Sequence, residues 1–294
     1  MTGSSRGPVR VTIAQVEVSN DHAANLLVVR SAFAEAQRLG ADLLVLPEYA
    51  SGFDPRGVGI EHAEPLDGPF VTTLQRWAAE TGVAVIAGTT LPATPAATDT
   101  PAATATSAER VTGATRAVNA VVAIDGGGHV VGVYRKVHLY DAFGHRESDR
   151  LVPGPADAAP TTMTVGGLTF GVMTCYDLRF PESARRLVDA GADVLVVPAA
   201  WAAGDLKADH WRTLARARAI ENTSVVLAVG QAGKGVTGRS LLVGPDGQVG
   251  LELDERAGLR TADVDPDALG AVRAANPSLA NRRYAVVPLE QQER

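Results

Sequence analysis

Gly40-Ala-Asp-Leu-Leu-Val-Leu-Pro47 is repeated, almost residue for residue, as Gly191-Ala-Asp-Val-Leu-Val-Val-Pro198. Each copy is a nearly unbroken apolar run closed by proline, which is typical of a strand buried on both faces. The strand pattern at 83–88 returns at 225–230, and a hairpin with an Asp-Gly turn follows in both halves. The sequence therefore contains an internal repeat and predicts two similar halves.

Each half alternates strands with helices before it reaches its hairpin. Apolar spacing predicts helices from the capping cluster Ser19-Asn-Asp21 to Leu39, from Phe70 to Gly82, and over 209–220. This alternation favours two mixed sheets, each with helices on one face only. The uncovered sheet faces must be buried, and each sheet is the natural partner of the other. We therefore predict an α/β fold, a four-layer α-β-β-α sandwich built from two pseudo-symmetric halves, with the active crevice between them.

The chain of 294 residues is 46% hydrophobic, which is ample for a real core. We expect one domain over 1–294, with a polar tail at 1–8, a Thr/Ala/Pro-rich surface loop at about 91–115 and a C-terminal arm at about 270–294. The pattern Asn281-Arg-Arg-Tyr284-Ala-Val-Val predicts one last strand in the arm. Arms of this kind often pack on another subunit, so we expect a homodimer or a larger homo-oligomer.

Composition also excludes several classes of partner. The net charge of -6 gives no basic field for a phosphate backbone, so we expect no nucleic-acid partner. A single cysteine excludes an internal disulfide, and no zinc-type spacing exists, so we expect neither a metal nor an organic cofactor. No signal peptide and no apolar run near the ~20 residues of a membrane helix are present. We therefore expect a cytoplasmic protein with no membrane partner.

The cysteine lies in Gly171-Val-Met-Thr-Cys175-Tyr-Asp-Leu-Arg179-Phe-Pro-Glu182, between the end of an apolar run and the start of a helix. This pattern predicts a strand-to-helix turn, and in open α/β sheets substrates bind outside the carboxyl ends of the strands. A packed core cysteine is the alternative, because free cysteine is among the most buried residue types. The charged Asp177 and Arg179 that follow favour the functional interpretation, since packing alone does not need them.

Two further charged residues lie at predicted strand ends, Glu48 after Pro47 and Lys136 after the first hairpin. A thiol near its usual pKa of about 8.5 is mostly protonated at neutral pH, so a nucleophilic cysteine needs a base or a cation. Glu48 is a candidate base and Lys136 a candidate cation. Taken singly, each also fits a surface charge. The repeat brings corresponding strand ends of both halves to one side, which favours a shared catalytic site.

Four motifs resemble those of the nitrilase, or carbon–nitrogen hydrolase, superfamily over nearly the whole chain. They are Leu46-Pro47-Glu48, Tyr134-Arg-Lys136-Val-His138-Leu, Cys175-Tyr-Asp-Leu-Arg179-Phe-Pro-Glu182 and Arg216-Ala-Arg-Ala-Ile-Glu-Asn222. The four-layer sandwich is also the fold that this resemblance implies. Four long motifs in the order typical of the family are far more specific evidence for the resemblance than any single three-residue match.

The resemblance implies that Cys175 attacks an amide carbonyl while Glu48 takes its proton and passes it to departing ammonia. Lys136 and the backbone N–H of Tyr176 would stabilise the oxyanion, and water would then release a carboxylic acid from the thioester. The family has a second glutamate near the lysine. Glu147 is the best match, with a surface carboxylate as the alternative.

The cysteine motif resembles the branch of ω-amidases and deaminated-glutathione amidases, which act on small amides that carry a carboxylate. Arg179 is then a candidate clamp for that carboxylate, because a guanidinium suits bidentate recognition. A structural pair with Asp177 or a glutamate is the alternative. Trp201, just past a strand end of the second half, is a candidate pocket residue or a core residue.

Other functions remain open at this point. Nitrile or N-carbamoyl hydrolysis could use the same three groups, and a papain-like enzyme would instead use a histidine base, with His138, His145 or His210 as candidates. No papain-type sequence surrounds the cysteine. A non-catalytic binding protein of the same fold is disfavoured, because all three catalytic residue types are present.

Overall fold

The computed structural model describes residues 7–93 and 115–289, and within them two six-stranded sheets are present. The first sheet has the strand order β12-β1-β2-β3-β4-β5, with β12 Gly258–Val264, β1 Val9–Gln15, β2 Leu43–Val45, β3 Ala84–Pro92, β4 Ala117–Ile124 and β5 Val130–Arg135. The second has the order β11-β10-β9-β8-β7-β6, with β6 Thr162–Val165, β7 Leu168–Val172, β8 Val194–Ala199, β9 Val225–Gly230, β10 Leu241–Val243 and β11 Val249–Glu252.

The two sheets have the same topology. In each sheet three central strands are parallel, and every outer strand is antiparallel to its neighbour. The repeated segments form β2 and β8, which hold the same position in their respective sheets. The predicted internal repeat and the two pseudo-symmetric halves are therefore confirmed.

The helices are α1 His22–Arg38, α2 Pro69–Thr81, α3 Pro181–Asp189, α4 Lys207–Asn222 and α5 Pro266–Ala275. The predicted start of α1 is confirmed, because the Asp21 side chain caps it by accepting from the backbone N–H groups of Ala23 and Ala24. The predicted end of α2 is also confirmed. Gly82 ends that helix with φ +74°, a left-handed conformation that glycine adopts without a Cβ clash.

Three apolar clusters mark the layers of the fold. One cluster lies between the two sheets and includes Val45 and Phe170. A second joins α1 and α2 to the first sheet, and a third joins α3 and α4 to the second sheet. The order of layers is therefore helix, sheet, sheet, helix, as predicted. Within the described residues, no helix combines the length and the apolar character that a bilayer crossing requires.

The C-terminal region differs from the sequence prediction. Strand β12 returns from the second half and pairs antiparallel with β1, and Leu269 of α5 enters the apolar layer between the sheets. Neither element was predicted, because their sequences lack strong periodicity and depend on the sheet edge for partners. The last strand predicted at 281–287 is wrong: this segment has no regular structure, and Tyr284 is 91% exposed.

The Thr/Ala/Pro-rich segment predicted as a loop falls largely outside the described residues. Its first two residues, Leu91 and Pro92, belong to β3, which is longer than the 83–88 pattern indicated. Residues 1–6 of the predicted polar tail also lie outside the described part of the chain.

Candidate active site

Glu48 lies at the tip of β2, where the two sheets meet. Its Oε1 accepts hydrogen bonds from Asn119 Nδ2 (2.6 Å) and Lys136 Nζ (3.0 Å), and its Oε2 accepts from the backbone N–H of Ala200 (2.6 Å). Ala200 follows β8, so the pseudo-symmetric strands touch at this carboxylate. Gln231 donates to the backbone carbonyl of Glu48 at 2.6 Å. Both sheets therefore hold one buried carboxylate in a defined orientation.

Lys136 directly follows β5 and is fully buried between two carboxylates. Its Nζ donates to Glu48 Oε1 and to Glu147 Oε1, each at 3.0 Å. Burial alone lowers the pKa of this ammonium, but the charges of Glu147 and Glu48 outweigh burial and raise the pKa well above its usual value. Lys136 is therefore a fixed positive charge between Glu48 and Glu147.

Glu147 begins a short 3-10 turn, Glu147–Asp149, and points inward rather than into solvent. Besides Lys136, its carboxylate accepts from the Tyr49 hydroxyl (3.0 Å) and from the backbone N–H of Tyr140 (2.8 Å). These contacts do not support the surface-carboxylate alternative. Glu147 holds Lys136 from the side opposite Glu48 and orders the loop between the two residues.

Cys175 is the first residue of the 3-10 turn Cys175–Arg179, three residues beyond the end of β7. Its φ of +48° is strained for a residue with a Cβ, and strain of this kind is often found at active sites. Burial raises the pKa of the thiol well above its usual value, and the negative charge of the Glu48 carboxylate raises it further. The thiol is therefore protonated at neutral pH.

The charges of the site explain why the thiol keeps its proton. Two carboxylates surround one ammonium, so the group of Glu48, Glu147 and Lys136 carries a net charge of -1 before Cys175 is counted. A thiolate would add a second negative charge in a buried site, which is unfavourable. The geometry therefore favours a thiol whose proton passes to Glu48 during attack over a resting thiolate.

Asp177 anchors the cysteine turn to the strand that carries Lys136. It is fully buried and accepts hydrogen bonds from Tyr134 Oη (2.6 Å), Thr174 N (2.9 Å), His138 N (3.2 Å) and His138 Nδ1 (2.8 Å). The sequence predicted Asp177 as a sign of a functional cysteine and as an alternative partner of Arg179, but in the described residues no bond joins the Asp177 and Arg179 side chains. Asp177 thereby fixes Cys175 relative to Lys136.

A cavity of about 520 Å³ opens above these groups. Arg179 and Trp201 both line it, and the Arg179 guanidinium stacks over the Trp201 ring at 4.9 Å. Trp201 is nearly buried, and its Nε1 donates to the Lys207 carbonyl at 2.9 Å. The half-buried Tyr176 also lines the cavity, and its ring meets that of Tyr140 edge-on at 5.1 Å. All predicted site residues except Lys136 line this cavity, and Lys136 is fully buried behind it, bonded to Glu48 and Glu147.

None of the three candidate histidine bases is bonded to the thiol in the described residues. His138 is bonded to Asp177 and stacks on Phe180 at 3.7 Å, and His210 contacts Arg179 at 3.4 Å. His145 lines the cavity and stacks on Tyr140. In the same part of the chain, no group of three His, Cys, Asp or Glu side chains is arranged to hold a metal ion. This geometry favours Glu48 as the base over a papain-like arrangement.

The sequence matches the model of the carbon-nitrogen hydrolase family over residues 10–274. The chain belongs to this family. The match covers both halves and all three groups at the centre of the site, so the resemblance read from the four motifs is confirmed.

Relatives with curated names are similar over most of their length. A deaminated glutathione amidase of Escherichia coli O157:H7 is 35% identical over 277 residues, which cover 94% of this chain and 97% of the relative. The human deaminated glutathione amidase is 32% identical over 285 residues, which cover 93% of this chain and 82% of the relative. Among carbon-nitrogen hydrolases, the chain therefore resembles the ω-amidase and deaminated-glutathione amidase branch.

Solved structures share the fold. A Saccharomyces cerevisiae member of branch 10 of the nitrilase superfamily aligns with a TM-score of 0.76 at 26% identity, covering 94% of this chain and 97% of that protein. A glutamate-to-glutamine mutant of the Nesterenkonia sp. AN1 amidase aligns with a TM-score of 0.71 at 27% identity, covering 93% of this chain and 96% of that protein. That structure is described as showing covalent addition of the acetamide moiety of fluoroacetamide at the active-site cysteine.

Proposed function

We propose that the protein is a cysteine-dependent amidase that hydrolyses the terminal amide of a small substrate to a carboxylic acid and ammonia. The observation that carries this proposal is the buried carboxylate of Glu48, which accepts from the Lys136 ammonium and lines the same cavity as the Cys175 thiol. Membership of the carbon-nitrogen hydrolase family supports the reaction class, and the relatives named as amidases support an amide as substrate.

In the first half of the reaction, Cys175 Sγ attacks the amide carbonyl carbon while its proton passes to Glu48. The carbonyl oxygen becomes an oxyanion, which accepts hydrogen bonds from Lys136 Nζ and from the backbone N–H of Tyr176. Collapse of this intermediate breaks the C–N bond. Glu48 gives its proton to the departing nitrogen, so that ammonia leaves and a thioester remains on Cys175.

In the second half, water replaces ammonia beside Glu48. The carboxylate takes a proton from the water as its oxygen attacks the thioester carbonyl, and the same donors stabilise the second oxyanion. The C–S bond then breaks, the acid is released, and Glu48 returns the proton to sulfur. Glu147 keeps Lys136 charged and in place through both halves of the reaction, without touching the substrate.

The substrate side of the proposal rests on Arg179. Its side chain lies in the cavity against Trp201, and within the described residues no carboxylate is bonded to it. A guanidinium with free donors fits a carboxylate at the far end of the acyl chain. We therefore assign ω-amides of small dicarboxylic acids as the preferred substrates, ahead of nitriles and N-carbamoyl compounds.

We further propose that the two halves work as one domain within a homodimer. Glu48 and Lys136 come from the first half and Cys175 from the second, so neither half holds a complete site. The segment after α5 exposes most of the surface of Tyr284, Val287 and Leu289, and a second copy of the chain is the proposed partner for these apolar side chains.

The proposed reaction is tested with intact-protein mass spectrometry and steady-state kinetics on succinamate. We expect Glu48→Gln to lower kcat/KM on the order of 1,000-fold, because a general base contributes about 10²–10⁴ in rate. An acyl adduct on Cys175 should form with the unmodified protein and be absent in Cys175→Ala. Glu80→Gln, on the exposed face of α2, is the matched control and should retain full turnover.

Full turnover in Glu48→Gln would contradict the assigned base. The absence of both adduct and turnover with amides, nitriles and N-carbamoyl compounds would contradict the enzymatic proposal itself. If N-carbamoyl compounds were hydrolysed fastest, the thiol chemistry would stand and the substrate assignment would be wrong.

A further inference from the structure

Two positive charges in the cavity have no anionic partner within the described residues. The four carboxylates that line the cavity are each paired: Glu48 and Glu147 with Lys136, Asp54 with Arg56, and Asp149 with Arg146. Arg179 and Lys207 line the same cavity and form no such pair. An unpaired cation in a semi-enclosed cavity is unfavourable unless a ligand supplies the opposite charge.

Lys207 is almost fully buried, which is unusual for a charged side chain. It is 7% exposed, its Nζ donates to Tyr140 Oη at 2.8 Å, and the same nitrogen lies 3.5 Å from the centre of the Phe143 ring. Burial lowers the pKa of Lys207, and the nearby Arg179 lowers it further. The aromatic contacts orient the amine but leave donors free, since an ammonium has three.

The two cations share one aromatic wall. The Arg179 guanidinium lies over the same Phe143 ring at 5.7 Å, and it also lies over Trp201 at 4.9 Å. Phe143 itself has φ +54° and is 65% exposed, both of which are unfavourable for a large apolar residue. Contacts to two cations that line the cavity account for a ring kept in this position.

The residues at the start of α4, around Lys207, also weaken this helix. Lys207 is the first residue of α4, where a positive charge opposes the helix dipole. The preceding Leu206 has φ +59°, is 68% exposed and supplies no capping side chain. Choices that weaken a helix start are typical of functional positions. Here they accompany a lysine that lines the cavity.

The small number of lysines in the chain also singles out Lys207. The chain has only three lysines, Lys136, Lys207 and Lys234, and uses arginine for every other basic side chain. Lysine presents a compact point charge, whereas arginine presents a broad planar fork. Two of the three lysines therefore lie in this one site, and only Lys234 is exposed on the surface.

We propose that Lys207 is a specificity-determining residue that binds the anionic group of the substrate's acyl chain together with Arg179. The cavity then selects amides whose far end is a carboxylate, held between a guanidinium and an ammonium, and discriminates against neutral amides of the same shape. This inference rests on the proposed amidase function and adds a second binding residue to it.

The test compares succinamate with succinamide, which differ only in whether the far end is a carboxylate or a neutral amide. Lys207→Met removes the charge and keeps the aliphatic stem. We expect it to raise KM for succinamate on the order of 10- to 100-fold, because a hydrogen bond to a charged group is lost, with little change in kcat. KM for succinamide should stay within about twofold, since that substrate carries no charge to lose.

Three further variants serve as controls. Lys207→Arg retains the charge and should keep most of the preference for succinamate. Lys207→Gln should behave as Lys207→Met does, and it provides the comparison if the methionine variant does not fold. Lys234→Met removes the exposed lysine and should leave both KM values unchanged. Thermal unfolding of each variant separates loss of binding from loss of structure.

The outcomes separate the two proposals. Equal changes in KM for both substrates, or no change for either, would overturn the role of Lys207 and leave the amidase function intact. If the unmodified protein hydrolysed neither amide, the proposed function would fail first. A preference for succinamate that disappears only in the Lys207 variants without charge is the result that supports the inference.

Discussion

Cys175 is a buried thiol beside a carboxylate, and this placement has a consequence for stability as a function of pH. The folded state keeps the thiol protonated because its pKa is raised well above the usual value. The unfolded chain releases that proton near pH 8.5. Above this pH the folded state binds more protons than the unfolded state does, so the free energy of unfolding falls as pH rises.

We expect a slope of up to about 1.4 kcal/mol per pH unit between pH ~8.5 and ~9.5, from the cysteine alone. Denaturant unfolding at several pH values measures it, and Cys175→Ser is the control because serine does not titrate in this range. The difference between the two proteins should grow with pH. Parallel profiles would contradict a thiol pKa that is higher in the folded state than in the unfolded chain.

Asp177 illustrates how one buried acceptor serves several donors. We expect Asp177→Asn to lower the free energy of unfolding by about 3 kcal/mol or more, because the amide cannot accept from Tyr134, Thr174 and His138 at once. Tyr134→Phe is the matched control, since it removes one of these hydrogen bonds and should cost only about 1 kcal/mol. Urea titration distinguishes the two, and equal losses would contradict a shared anchor.

At the scale of single residues, the sequence predicted the reactive groups but not their neighbours. Glu48, Lys136 and Cys175 each stand at a recognisable strand end. Asn119, Tyr140 and Lys207 reach the site from positions with no such pattern. Their roles depend on contacts between residues distant along the chain, which no local pattern specifies. The scarcity of lysine was the one available signal for Lys207.

Among the elements, β2 and β3 must approach closely for Glu48 to reach the site. A Cβ on Gly88 of β3 would lie 2.6 Å from Pro47 O and from Tyr49 N, and would overlap the Glu48 backbone. Gly88→Ala therefore has to push the tip of β2 away from the cavity. This requirement comes from packing between strands and is invisible in the sequence pattern of β3 alone.

We expect Gly88→Ala to lower kcat/KM about 100-fold, since a displacement of about 1 Å of a catalytic group can have that effect. The accompanying loss of stability should be about 1–3 kcal/mol. Gly250→Ala in β11 is the matched control, because a Cβ there meets only Leu242 Cδ2 at an ordinary 3.4 Å. Activity of Gly88→Ala equal to that of the control would show that β2 tolerates the displacement.

Elements with strong periodicity were predicted well, and elements that depend on a neighbour were not. Helices α1 and α2 carry their own caps and apolar faces, so their bounds follow from local sequence. Strand β12 is mostly partly exposed with no regular alternation, and it exists because β1 offers a free edge. The segment 281–287 has an apolar pattern suited to a strand, but no sheet edge pairs with it in the structure.

At the scale of the whole molecule, the exposed apolar side chains of the arm after α5 are the feature that contacts within the described part of one chain do not explain. Tyr284 and Leu289 are 91% and 90% exposed, which is unfavourable for apolar side chains in water. We expect removal of 284–294 to shift a dimer of the full chain to monomer at micromolar concentration. Sedimentation equilibrium measures this change.

The truncation should leave the fold of each subunit intact, because Leu269 of α5 remains in the core and β12 remains paired. Unchanged far-ultraviolet circular dichroism is the control for that point. A full-length chain that is monomeric at the same concentration would contradict the proposed role of the arm.

The sequence by itself determined the two-fold architecture of this protein, because its buried strands repeat and helices of matching spacing follow them. It also identified the family and the three central groups of the site, since these residues stand in long, specific motifs. Only the tertiary structure decided that Glu48 is held by both sheets, that Asp177 anchors the cysteine turn and that Lys207 lines the same cavity as Cys175. Such contacts join residues that are remote in the chain, and packing of the whole molecule selects them.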